Sequence, residues 1–157
     1  MKITSEEPEI HWPFLKVKDK VVLDLGCGIF YSQQATPDWF VNEGASKVIG
    51  VDLGNYNPDH FIYHQKPINS REDILDLVHE YKPDVIKCDI EGAEVYFSDV
   101  TADDMKSVTQ FAVEYHDNDL KLLMDKKIKD WGFENSDTHQ LFDEDIDRIG
   151  VIYAWKQ

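Results

Sequence analysis

The run Val21-Val22-Leu23-Asp24-Leu25 is almost wholly apolar, rich in β-branched residues, and closed at once by Gly26-Cys27-Gly28. A strand with apolar side chains on both faces must be covered on both. That is the condition of a strand inside a parallel sheet with helices packed above and below it. The rest of the chain repeats the theme. Lys47–Asp52 and Val85–Asp89 are further apolar runs, Phe61–Tyr63 is a shorter one, and Val108–His116 reads as a fifth strand.

Helical patterns separate these runs. Thr36-Pro37 pairs a capping residue with proline at the first helical position, and that helix ends at Gly44. Asn69 and Ser70 cap a helix running to Tyr81, with Ile74, Leu75, Leu77 and Val78 as its apolar stripe. Asp119–Trp131 places Leu120, Leu123, Met124 and Ile128 on one face before Gly132 ends it, and shorter helical pieces are expected over Ala93–Phe97 and Thr101–Met105. Strands alternating with helices imply right-handed βαβ units. The last two strands, Phe133–Phe142 and Arg148–Trp155, have only an acidic tract between them, so they should form a hairpin with one strand antiparallel. The expected fold is α/β: a Rossmann-like, doubly wound, seven-stranded, mostly parallel sheet with an antiparallel C-terminal hairpin. Residues 1–20 read as a short lead-in, from which Trp12, Phe14 and Leu15 tuck against the core, and 21–157 as a single domain. All four tryptophans are expected inside.

Composition excludes several function classes. Sixteen basic residues face 31 acidic ones, for a net charge of −15. The basic clusters Lys16–Lys20 and Lys126–Lys129 are each interrupted, so no nucleic-acid partner is expected. The tract Asp143–Asp147 alternates like the start of a calcium loop, but Arg148 stands where that loop needs glycine and Ala154 where it needs the closing glutamate. It reads as a solvated loop. No apolar run approaches the length of a membrane span, and the two cysteines, Cys27 and Cys88, read as buried free thiols. A cytoplasmic, membrane-free protein is the expectation.

In a doubly wound sheet, ligands bind beyond the carboxyl ends of the strands, where strand order reverses. Gly26 and Gly28 would let a ligand approach the backbone closely, and Asp52, closing the second strand, could accept both hydrogen bonds of a ribose diol. The plainer alternative is a tight turn, with Asp52 capping the next loop. A dinucleotide fingerprint needs a third glycine where Tyr31 stands, and the Walker signature is absent. A nucleoside cofactor without phosphates fits best, and S-adenosylmethionine is one.

At these residues the chain resembles a known family. Val22-Leu23-Asp24-Leu25-Gly26-Cys27-Gly28 is similar to motif I of the class I S-adenosylmethionine-dependent methyltransferases. Ile86-Lys87-Cys88-Asp89-Ile90-Glu91-Gly92-Ala93-Glu94 resembles the Lys-x-Asp-x-Glu-Gly-x-Glu signature of the FkbM-type methyltransferases, and Phe111–His116 resembles that family's following strand. The resemblance implies a methyl-transfer domain. Its cofactor contacts would come from Asp24, Gly26, Cys27, Gly28 and Phe30 around the turn, Asp52 and Leu53 after the second strand, and Asp89 and Ile90 after the fourth. Three features depart from the family pattern. Phe30 replaces the third motif I glycine, no acid follows the third strand, which leaves Gln65 or Asn69 for the adenine, and the region before the first strand is short for a lid.

Methyl transfer to a hydroxyl needs a base. Glu114 and His116, two apart at a strand end, point to the same face, and histidine exchanges protons near neutrality. Glu91, in the turn after the fourth strand, completes the expected catalytic set, although Glu91 and Glu94 could equally serve as helix caps. Asp89, Glu114 and His116 are also the groups that could gather a Mg²⁺. The expected activity is O-methylation of a small-molecule or sugar hydroxyl. The alternative is a non-catalytic module that binds S-adenosylmethionine or a nucleoside.

Overall fold

The computed structural model describes residues 12–28, 36–140 and 149–157. Phe30, Tyr31 and the acidic tract 143–147 lie outside the described residues.

In chain order the elements are β1 (Val21–Leu25), α1 (Thr36–Asn42), β2 (Lys47–Asp52), β3 (Ile62–Gln65), α2 (Arg71–Tyr81), β4 (Val85–Cys88), a 3₁₀ helix (Ala93–Asp99), β5 (Gln110–Tyr115), α3 (Asn118–Asp130), β6 (Asn135–Gln140) and β7 (Gly150–Trp155). The seven strands form one sheet in the order β3-β2-β1-β4-β5-β7-β6. The first five are parallel, and β7 runs antiparallel to both β5 and β6. This is the expected Rossmann-like sheet with its C-terminal hairpin. Strand order reverses between β1 and β4, which are direct neighbours.

The helices start and stop where local chemistry dictates. The Ser70 hydroxyl accepts from the Asp73 N–H at the start of α2, and Asp117 accepts from the Leu120 N–H at the start of α3. Thr101–Met105, expected as helical, is a turn. Thr101 and Asp104 bond each other reciprocally, side chain to backbone, and satisfy the segment without propagating a helix.

Strand periodicity sorts the side chains onto two faces. Leu23 and Leu25, Ile49 and Val51, Ile86 and Cys88, and Phe111, Val113 and Tyr115 pack with α2, the 3₁₀ helix and α3. Val22, Val48, Val85, Ala112, Val151 and Tyr153 pack with Phe40 of α1 and with Trp12, Leu15 and Val17 of the lead-in. The second face is thinly covered beside β7. Phe14, expected in the core, is 51% exposed and stacks on the His139 ring, and Trp155 is 42% exposed at the end of β7. Among the described residues no helix is long and apolar enough to cross a membrane.

Candidate active site

Four charged residues of the parallel strands share one face. Asp24 in β1, Asp52 in β2, Lys87 in β4 and Glu114 in β5 all have the parity of the second face, the one packed by α1 and Trp12. Three of them, with Asp89 just past β4, cluster at the carboxyl ends of β1, β4 and β5, on the side where order reverses.

The glycine turn is held from both sides. The Gly26 N–H donates to the Val51 carbonyl, and the Asp89 N–H donates to the Leu25 carbonyl. Gly26 and Gly28 have φ of 72° and 81°, conformations that a side chain resists. The Gly28 N–H donates to Asp52 Oδ2 at 2.9 Å, and the Leu53 N–H to Oδ1 at 2.6 Å. A carboxylate accepts about four hydrogen bonds, so Asp52 retains capacity for a ribose diol. The Leu53 side chain, 58% exposed, lies open beside it. Gln65 donates to the Leu53 carbonyl, and the Asn69 N–H donates to Asp73; both belong to the frame of this loop.

Lys87 stands directly opposite Asp24 in the parallel register of β1 and β4. Its Nζ lies 3.0 Å from Asp24 Oδ1, donates to the Gly26 carbonyl, and sits 5.1 Å from the centre of the Trp12 ring. Both side chains are buried, Asp24 completely. Burial pushes the Asp24 carboxyl up to about 6 against the pull of Lys87. Burial pulls the Lys87 ammonium down, but the charges of Asp24 and Asp89 outweigh it and hold the lysine above its ordinary value. The pair is therefore ionised at neutrality. Apart from this Lys87 contact, neither Asp24 oxygen has a hydrogen-bond partner among the described residues.

Beside this pair, His116 lies within a ring of acids. Its Nε2 is 3.4 Å from Glu91, 3.6 Å from Asp89 and 4.0 Å from Glu114, and its Nδ1 is 3.9 Å from Glu94. Nδ1 has no hydrogen-bond partner among the described residues. Glu114 is not positioned to orient the imidazole. Burial and the charge of Asp89 push its carboxyl up to about 9, and its hydrogen bond goes to Asp89. The raised value favours the protonated form of Glu114, whose O–H can donate to Asp89. Glu94, fully buried, accepts from the Ile90 N–H at 3.0 Å and the Gly92 N–H at 2.7 Å, and burial raises its carboxyl. Those two bonds clamp the turn in which Glu91, at φ 53°, projects to solvent.

The structure thus gathers Glu91, Asp89, Glu114 and His116 at one spot, with Asp24, Gly26 and Gly28 beside them and Asp52 and Leu53 one strand further. Cys27 and Cys88 are buried free thiols. The groups that could hold a metal differ from the expected set. Asp89, Glu94 and His116 offer atoms within 4.8 Å of one another, so Glu94 takes the place expected of Glu114. Sequence reasoning missed Lys87 and undervalued Glu94. A lysine in the middle of an apolar strand was the available signal for the first, since such a charge needs a buried partner.

No protein-family model matches the chain, and no curated protein does. Solved structures do. A ribosomal RNA methyltransferase, putative, from Plasmodium falciparum superposes with a TM-score of 0.56 at 14% identity, over 91% of this chain and 89% of that one. The Methanococcus jannaschii fibrillarin pre-rRNA processing protein gives 0.55 at 16%, over 90% and 69%. The MycE methyltransferase from the mycinamycin biosynthetic pathway, solved with Mg and S-adenosylhomocysteine, gives 0.60 at 13%, over 94% of this chain but only 44% of that one. The chain has the fold these methyltransferases share.

Proposed function

We propose that the chain is an S-adenosylmethionine-dependent methyltransferase of the FkbM type, acting on a hydroxyl of a small molecule or sugar. The observation that carries this reading is the completely buried Asp24 carboxylate beside the glycine turn, with no hydrogen-bond donor other than Lys87 among the described residues. Asp24 and Asp89 bring two negative charges to Lys87's one, so the pocket has a place for a further cation such as the cofactor's α-ammonium. The fold and the similarity of Lys87–Glu94 to the FkbM signature support the same reading.

Bound here, the cofactor would supply a methyl group already activated on a sulfonium. The protein's own work is binding and proton handling. Asp24 takes the ammonium, Asp52 the ribose diol, and Leu53 offers an apolar surface to the base. His116 accepts the proton of the acceptor hydroxyl, and Asp89 and Glu91, at 3.6 and 3.4 Å, stabilise the imidazolium that forms. Glu114 keeps its proton and holds Asp89 in place. A Mg²⁺ on Asp89, Glu94 and His116 is the alternative to a histidine base. Transfer that survives chelation eliminates it.

Calorimetric titration with S-adenosylmethionine tests the reading, and affinity no better than millimolar would sink it. An RNA acceptor is the second reading. It is favoured by the names of the Plasmodium and Methanococcus proteins, which count against the expected absence of a nucleic-acid partner. The net charge of −15 weighs against it. Filter binding of structured RNA at low salt separates the two. A non-catalytic module would bind cofactor and show no transfer to any hydroxyl acceptor screened.

A further inference from the structure

Resting on the cofactor reading above, we infer that Lys87 is a positioning residue of the cofactor site, which aims the Asp24 carboxylate and the Gly26 peptide at the amino-acid end of the cofactor. The Lys87 ammonium is already engaged by the protein on two sides, so its effect on a ligand runs through the groups it holds. It joins two parts that must keep a fixed relation. Its Nζ lies 3.0 Å from Asp24 Oδ1 on β1, and it donates to the Gly26 carbonyl in the turn.

Both contacts follow from register. Asp24 and Lys87 are paired residues of adjacent parallel strands, so their side chains rise from the same face at the same height. Trp12 closes the space above, its ring centre 5.1 Å from Nζ, and keeps the ammonium from swinging out to water.

Asp24 has no other anchor. Among the described residues no hydrogen-bond donor other than Lys87 reaches either of its oxygens, and its side chain is wholly buried. The lysine charge is the one described interaction that fixes it. The Gly26 carbonyl is likewise turned inward onto Nζ, which sets the tilt of the following peptide. Without Lys87, the carboxylate loses its fixed position and the turn its inward tie. The adenosine end of the site, built on Asp52 and its bonds to Gly28 and Leu53, would remain.

That separation supplies the test. Affinities for S-adenosylhomocysteine and for methylthioadenosine, which lacks the amino-acid part, are measured by calorimetry on the full chain and on Lys87→Met. The inference predicts a loss of about tenfold or more for S-adenosylhomocysteine, the scale of one charged hydrogen bond, with methylthioadenosine held within about twofold. A merely structural lysine would weaken both ligands together, and that outcome overturns the proposal. So does unchanged or tighter binding of S-adenosylhomocysteine. If Lys87→Met does not fold, Lys87→Gln, which keeps Asp24 and an N–H donor for the Gly26 carbonyl but removes the charge, carries the same comparison. Binding of S-adenosylhomocysteine by that variant at the wild-type level overturns the proposal. If the wild-type chain binds methylthioadenosine and not S-adenosylhomocysteine, both the methyl-transfer reading and this role of Lys87 fall. If only Lys87→Met behaves like wild type, the role of Lys87 falls alone.

Discussion

A Cβ on Gly26 would lie 1.7 Å from the carbonyl oxygen of Asp89, so the turn after β1 and the peptide after β4 meet where only glycine fits. Two strands far apart in sequence are locked at the switch point by the absence of one carbon. Gly28 differs, because a Cβ there would meet nothing within 4 Å.

Gly26→Ala should therefore cost about 2–5 kcal/mol, from left-handed strain plus a clash with backbone that cannot rotate away. Gly28→Ala should cost roughly 1–2 kcal/mol, from strain alone. Urea denaturation of the two variants measures the difference, and equal costs would refute the wedge.

Glu114 should make stability depend on pH. Its folded carboxyl is raised to about 9 from an ordinary 4.5, so folding takes up a proton between those values. Its contribution is fully present below the unfolded value and is lost as pH rises through the folded one. Stability should fall from pH 5 to 9, with a limiting slope of about 1.4 kcal/mol per pH unit. Asp24 acts with the same sign up to about 6, and the raised Glu94 and His60 add to the slope, so the contribution of Glu114 is the part that its own substitution removes. Glu114→Gln should reduce that slope, as read from urea midpoints across pH. An unchanged slope would place the proton elsewhere.

Asp52 ties the turn to β2 through the Gly28 and Leu53 N–H groups. Asp52→Asn keeps one acceptor and sets an amide N–H₂ against a backbone N–H. The expected cost is about 1–3 kcal/mol of stability, with a loss of S-adenosylhomocysteine affinity of about tenfold or more. Thermal denaturation and calorimetry on the same sample check both parts.

His116→Gln separates chemistry from binding. Under the proposed function, S-adenosylhomocysteine affinity should stay within about twofold while transfer of labelled methyl to an accepted hydroxyl falls about 10²–10⁴-fold. Glu94→Gln should do the reverse of a base mutation. It replaces one of the acceptors for the Ile90 and Gly92 N–H groups and should lower stability by about 1–3 kcal/mol. Retained transfer in His116→Gln would remove the histidine from the mechanism.

Much of this site could be read before folding. Gly26, Asp52 and Asp89 end their runs at the turns the structure shows, and Ser70 caps the helix it was expected to cap. Glu94 was harder, because a carboxylate near a turn is usually exposed. Only its two backbone bonds and its complete burial show it clamping the loop. The exposure of Phe14 and Trp155 was not legible at all. It follows from which sheet face lacks a helix beside β7, and no local pattern carries that.

The sequence by itself determined the order and kind of the elements and the conformation of the glycine turn. Hydrophobic period, caps and left-handed glycines are properties of neighbours along the chain. Tertiary structure decided which of its many acids share a pocket and in what state of charge. Asp24 meets Lys87, and Glu114 favours its protonated form beside Asp89, only because β1, β4 and β5 lie side by side. Desolvation and the field of a neighbouring charge exist only once those strands have assembled. The glycine turn marks where a ligand can approach; the buried charges gathered around it decide what kind of ligand that can be.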